Sequence, residues 1–270
     1  MSDPQTTTDQ EPGPRPTPVR TEDSRPTVIV DGLHVIYHVF ATGRPVKGEA
    51  GKRLLKRAPA LRRMHQVHAL KGVSFTAYEG DAIGVIGHNG SGKSTMLRAL
   101  CGLTPAARGT IYADGKPTLL GVNAAMINEM SGERNIVLGG LALGMTREEV
   151  AERYTDIASF AGIDDFLDLP MRTYSSGMQA RLRFAIAASV SHRVLMIDEA
   201  LAVGDKQFQL RSEARIAQLR EQAGTVFLVS HSMQSILDTC NRTIWIHKGE
   251  LRMDGPTAEV VAAYEESVKK

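Results

Sequence analysis

Gly87-His88-Asn89-Gly90-Ser91-Gly92-Lys93-Ser94, written GHNGSGKS, follows the apolar run Ala82 to Ile86 (AIGVI) and leads into TMLRALCGL. A glycine, four residues and then Gly-Lys-Ser, between a candidate strand and a candidate helix, is the P-loop pattern that cradles phosphate. The glycines at 87, 90 and 92 let the backbone fold back, so that successive N–H groups, those of His88, Asn89 and Ser91 among them, point at phosphate oxygens. A helix beginning at Lys93 adds its positive end to the same anion. Lys93 is expected to reach the β- and γ-phosphates as a point charge. Ser94 offers a hydroxyl to Mg²⁺, and Thr95 stands beside it at the start of the helix.

The chain has 270 residues with 42% hydrophobic content, enough for one α/β domain with an appended lobe. Its 32 basic and 30 acidic residues leave a net charge of +2, so the overall balance implies no nucleic-acid partner. Cys101 and Cys240 lack metal-ligand spacing, and no signal peptide is recognised ahead of them. They are expected to be reduced thiols of a cytosolic protein. The longest nearly apolar run, Ile136 to Met145, falls well short of the roughly 18 residues of a spanning helix. Any work at a membrane is therefore expected to be done from outside the bilayer.

Residues 1–26 hold six of the twelve prolines among polar residues and read as a disordered tail. Strands are expected at Thr27 to Val30 and Val67 to Phe75, with a basic insertion at 42–67 between them. A helical lobe, about 124–172, follows, with helical periodicity over Arg134 to Leu143 and over Thr146 to Ala161; Thr146 and Glu149 have the spacing of a capping box. The α/β rhythm then resumes. A helix is expected near Ser176 to Val190, a strand at Val194 to Ile197, a helix at Phe208 to Glu221, a strand at Thr225 to Val229 and a helix from Met233. Thr243 to His247 and Glu250 to Met253 read as a hairpin about Lys248-Gly249. A short helix in 256–270 ends the chain.

Val194-Leu195-Met196-Ile197-Asp198-Glu199 supplies the carboxylates that a phosphate site needs. Four apolar residues make a buried strand, expected beside the P-loop strand, with both acids at its carboxyl end, where open α/β sheets bind ligands. Asp198 suits Mg²⁺. Glu199, turned the other way, suits the orientation and deprotonation of the water that attacks a γ-phosphate.

Tyr174-Ser175-Ser176-Gly177-Met178 precedes this strand, and Ser230-His231-Ser232 ends the next. With these pieces the chain resembles the ATP-binding-cassette (ABC) ATPases, in motif order over 27–255. The resemblance implies a P-loop NTPase fold with a RecA-like core and an inserted helical subdomain. It also implies a signature at Ser175, Ser176 and Gly177, a switch histidine at His231, an interface acid at Asp205 and ATP with Mg²⁺ as cofactors. In that family two cassettes dimerise head to tail, each ATP lying between one P-loop and the other signature. Tyr37 is the best match for the aromatic that stacks on adenine, with Phe40 the competitor and surface packing the plain alternative.

The stretch LLGVNAAM, Leu119 to Met126, lacks the glutamine usual between core and helical lobe, with Asn123 as a shorter amide. That gap, YSSGM, DEALAVGD, SGERNIVLGGLALGM and the basic insertion are similar to the ATP-binding subunits of exporters for lipid-linked polysaccharides of the O-antigen and teichoic-acid type. The resemblance implies a homodimeric ATPase at the cytoplasmic face of the membrane, with separately encoded permease subunits. Several such subunits carry a carbohydrate-binding domain after the cassette; this sequence stops at Lys270, so glycan recognition is expected in the permease. The alternatives are an exporter of a lipid or drug, or a soluble ABC ATPase. The latter commonly shows paired cassettes or coiled coils, absent here. The insertion carries eight Lys and Arg against Glu49 alone, and reads either as an amphipathic helix facing anionic headgroups or as a solvated basic loop.

Overall fold

The computed structural model describes residues 24–40, 64–120, 126–198 and 206–269. Most of the proline-rich tail, the insertion from 41 to 63, and the stretches 121–125 and 199–205 lie outside the described residues. With them go Asn123, Glu199, Asp205 and the side chain of Phe40.

A three-stranded antiparallel sheet is ordered β2-β1-β4, from β1 (Pro26–Phe40), β2 (Met64–Tyr78) and β4 (Arg108–Ala113). The second sheet is ordered β5-β6-β7-β3-β8-β9, from β3 (Ala82–Ile86), β5 (Thr118–Leu119), β6 (Val194–Asp198), β7 (Thr225–Val229), β8 (Arg242–His247) and β9 (Glu250–Pro256). It is parallel except for the antiparallel β8-β9 pair. β1 and β2 are longer than their sequence suggests, and Met64 to Val67, assigned above to the insertion, pair with Phe40 to Tyr37 as strand. One expectation is corrected. β6 is not beside β3, because β7 lies between them and pairs with both.

The central strands are apolar throughout because each covers two cores. Val194 and Met196 of β6 face the antiparallel sheet and α1 (Lys93–Leu100), joining Val28, Val35, Leu70 and Leu97. Leu195 and Ile197 face the opposite way, toward the helices α2 (Gly132–Ala142), α3 (Arg147–Ala161), α4 (Ser176–Ala188), α5 (Lys206–Gln222), α6 (Met233–Thr239) and α7 (Thr257–Lys269). A strand reads as a continuous apolar run when both faces are buried. Each fully buried Leu or Ile contributes about 1.5–3 kcal/mol.

The helical lobe begins from local signals. Thr146 accepts from the Glu149 N–H at 3.2 Å, and the Glu149 carboxylate accepts from the Thr146 N–H at 2.7 Å, closing the capping box of α3. Asn135, fully buried in α2, donates to the carbonyls of Ile127, Met130 and Ser131 and accepts from the Ile127 N–H, fixing the turn that enters the lobe. Cys240 is buried and Cys101 half-buried. No helix among the described residues is long and apolar enough to cross a membrane.

Candidate nucleotide site

The phosphate loop starts where β3 ends, and its shape is imposed by its surroundings. Gly87 has φ 145°, and a Cβ there would stand 2.2 Å from the carbonyl oxygen of Ile246 in β8. Gly92 has φ 113°, and its Cβ would meet the Ala69 carbonyl oxygen at 2.8 Å. No other residue fits either place without displacing backbone. Gly92 is also the N-cap of α1 and provides no side-chain cap, so the first N–H groups of that helix remain available to an anion.

Lys93 is buried and its ammonium donates to the carbonyl oxygens of Gly87 at 2.6 Å and His88 at 3.0 Å. Burial lowers its pKa from the ordinary lysine value, and the Asp198 carboxylate partly offsets this. A desolvated cation held by two neutral carbonyls gains from any anion that enters the loop. Within the loop the Ser91 hydroxyl is buried without a hydrogen-bond partner among the described residues. Loop, uncapped helix and lysine together fit a phosphate group.

The other groups arrive by strand register. Val85 of β3 is level with Val229 of β7, and Val229 is level with Asp198 of β6, so the carboxylate stands across two strands from the last residues before the loop. His231 follows Val229 by two positions, after the buried Ser230, whose hydroxyl accepts from the Ser232 N–H at 3.0 Å. One cavity of about 520 Å³ is lined by Asn89, Gly90, Gly92, Lys93, Ser94 and Thr95. Tyr37, Asp198 and His231 line it as well. Tyr37 donates from its hydroxyl to Thr95 Oγ1 at 3.5 Å, which places the ring of β1 at the mouth of the loop. The Ser94 hydroxyl and Asp198 carboxylate form a donor pair that fits a hard cation retaining water and phosphate oxygens. Among the described residues no group of three or more His, Cys, Asp or Glu makes a cage from protein alone.

Three loop residues expected to touch nucleotide do not line the cavity. Gly87 lies against the Ile246 carbonyl of β8, Ser91 is buried in the loop, and the His88 ring packs against Tyr264 at 5.6 Å and His247 at 6.5 Å between centroids. The backbone of all three remains part of the loop. Conversely, Lys248 and the β2 residues Val67, His68 and Ala69 line the cavity and carry no motif. The only local signal was the Lys248-Gly249 turn, read above as a hairpin and nothing more.

Ser175, Ser176 and Gly177 lie elsewhere, at the start of α4. Ser175 caps the helix by accepting from the Met178 N–H at 3.1 Å. Space beside Gly177 is open, since the single neighbour of a Cβ there would be Ser175 Oγ at 3.8 Å. Tyr174 is buried and donates to the Phe166 carbonyl at 2.6 Å, so the segment is anchored from below while its small residues face outward. This second helix N-terminus serves no cavity of its own chain among those described.

Fold and site together define an ATP-binding cassette. Residues 70–202 match the ABC transporter family model, so the chain carries a domain of that family. It is 40% identical to the teichoic acids export ATP-binding protein TagH of Enterococcus faecalis over 196 residues, which is 73% of this chain and 44% of that protein. It is 40% identical to the O-antigen export system ATP-binding protein RfbB of Myxococcus xanthus over 203 residues, 75% of this chain and 46% of that protein. The chain thus spans about half the length of these relatives or less. Among solved structures, a dimeric ATP-binding cassette in a post-hydrolysis state bound to ADP and Pi superposes with a TM-score of 0.61 at 20% identity, covering 85% of this chain and 98% of that one. That likeness concerns the fold.

Proposed function

We propose that this chain is the ATP-hydrolysing subunit of an ABC exporter that moves a lipid-linked polysaccharide across the cytoplasmic membrane, as a homodimer bound to separately encoded permease subunits. The observation that carries the ATPase reading is the convergence of Lys93, Ser94, Asp198 and His231 on one cavity from three separate segments. The polysaccharide reading is supported by the names of the teichoic-acid and O-antigen export relatives.

Lys93 exchanges the carbonyls of Gly87 and His88 for the phosphate tail, regaining the charge partner that burial denies it. Ser94 and Asp198 would hold Mg²⁺, which supplies positive charge to the phosphate oxygens. Glu199 directly follows Asp198 in sequence and takes the proton of the attacking water as a bond forms from its oxygen to the γ-phosphorus and the bond to ADP breaks. His231 donates to the γ-phosphate. The N–H groups at Ser175 to Gly177 of the partner subunit complete its surroundings, so ATP closes the dimer and hydrolysis releases it.

Glu199→Gln keeps size and hydrogen bonding but removes the proton acceptor. Hydrolysis by the purified protein is expected to fall by about 10²-fold or more, while ATP still binds and a dimer accumulates in gel filtration. Near-normal turnover removes Glu199 from the role. For the substrate, depletion in cells is expected to trap lipid-linked glycan on the inner leaflet; unchanged surface glycan redirects the proposal to another exported molecule.

A further inference from the structure

We propose that Lys248 is a second nucleotide-binding cation, whose ammonium meets the phosphate tail of ATP in the cavity it shares with Lys93. This rests on reading that cavity as the nucleotide seat and adds a residue that no motif marks.

The first observation is conformational. His247 pairs with Glu250 across a two-residue turn in which Lys248 has φ 50° and Gly249 φ 87°. Two-residue turns with positive φ at both positions strongly prefer Asn-Gly, Asp-Gly or Gly-Gly. Lys248 is the one non-glycine residue with positive φ among the described residues. A lysine brings nothing to the backbone of such a turn, so an outlier of this kind directs attention to what its side chain does.

The second observation is where the turn is held. The Gly249 N–H donates to the Ser91 carbonyl at 2.8 Å, and the Gly249 carbonyl accepts from the Lys71 N–H at 2.8 Å. The turn is therefore clamped between the phosphate loop and β2, and a Cβ on Gly249 would lie only 2.6 Å from the Ala69 carbonyl oxygen. Clamped there, Lys248 lines the cavity together with Lys93, Asn89 and Gly90 while remaining exposed.

Charge supplies the third step. Lys93 is buried beneath the loop, whereas a triphosphate tail spreads its charge over several oxygens and leaves the outer ones facing the cavity mouth. A flexible four-carbon stem carrying a compact ammonium suits that position. Because Lys248 is exposed, its attraction adds to affinity and is screened by salt.

The test measures ATP, ADP and AMP binding to the full chain at low and high ionic strength, beside thermal melting, for wild type, Lys248→Gly, Lys248→Asn and Lys248→Arg. The expected result is a melting midpoint at or above wild type for the Gly and Asn variants, because positive φ suits both. The same variants are expected to lose about five- to tenfold in ATP affinity at low salt. The loss shrinks toward AMP and at high salt, and Lys248→Arg retains wild-type affinity. Wild-type affinity in Lys248→Gly overturns the proposal. So does an equal loss for ATP and AMP, which places the lysine at the base or ribose, or a midpoint that falls together with binding, which assigns it to holding the turn. Failure of wild type itself to bind ATP overturns the reading of the cavity instead, and is distinguishable on that ground.

Discussion

The ring of His88, the second residue of the phosphate loop, stands 5.6 Å from the ring of Tyr264 in α7. Tyr264 in turn meets Trp245 at 5.4 Å, and Arg252 covers the other ring system with its guanidinium 4.6 Å from the Trp245 centroid. The C-terminal helix is thus packed directly on the candidate phosphate loop. An aromatic contact of this kind contributes about 0.5–1.5 kcal/mol beyond buried area. Tyr264→Ala is expected to raise the Kd for ATP about two- to tenfold with kcat nearly kept, and Tyr264→Phe to restore it. Equal affinities in all three proteins, measured by titration, would separate α7 from the loop.

Gly87→Ala is expected to be severely destabilising, because the added Cβ would lie 2.2 Å from the Ile246 carbonyl oxygen and 2.8 Å from Ser91 Oγ. Relief requires β8 to move away from β3, at a cost of about 3 kcal/mol or more. Thermal melting should show a midpoint lower by about 6–12 °C, together with loss of ATP binding. A variant that melts like wild type contradicts the packing described.

Stability at mildly acidic pH is expected to depend on His192. Burial lowers its pKa from the ordinary value near 6.5, and the Ala187 carbonyl, 2.8 Å from Nε2, offsets part of this. The folded protein then takes up the proton less readily than the unfolded chain. The contribution to stability is complete above the unfolded pKa and is lost as pH falls below it toward the lowered folded value. Denaturant midpoints should decline below about pH 6.5, and more gently in His192→Gln; identical slopes would remove His192 as the cause.

The proposed composite site predicts complementation. Lys93→Ala and Ser175→Arg each impair a different half of it, so a mixed dimer holds one site with both lesions and one with neither. Partial ATPase recovery is expected on mixing the two inactive proteins. Dimers proven mixed by differential tagging, yet inactive, would mean that both sites must fire together or that each chain works alone.

Features carried by contiguous residues were legible in the sequence. β3 and β7 were read with the bounds they have, because each is a short apolar run closed by turn residues. The start of α3 was legible because Thr146 and Glu149 bond within one turn. β4 was missed because Arg108 to Ala113 lies largely exposed beside β1 and shows no apolar stripe. β5 was missed because two residues carry no period. The full length of β1 and β2 depends on pairing across the hairpin, where His34, His38, His65 and Gln66 give no apolar alternation.

The phosphate loop, its lysine and the acid at the end of β6 were determined by the sequence alone, since a glycine's freedom, a helix start and a buried strand end are set by neighbours in the chain. Only tertiary structure decided that β7 separates β3 from β6, that His88 rests on Tyr264, and that Lys248 lines the same cavity as Lys93. These relations join residues far apart in sequence. Their energies come from strand order and from packing between elements, which no local period records.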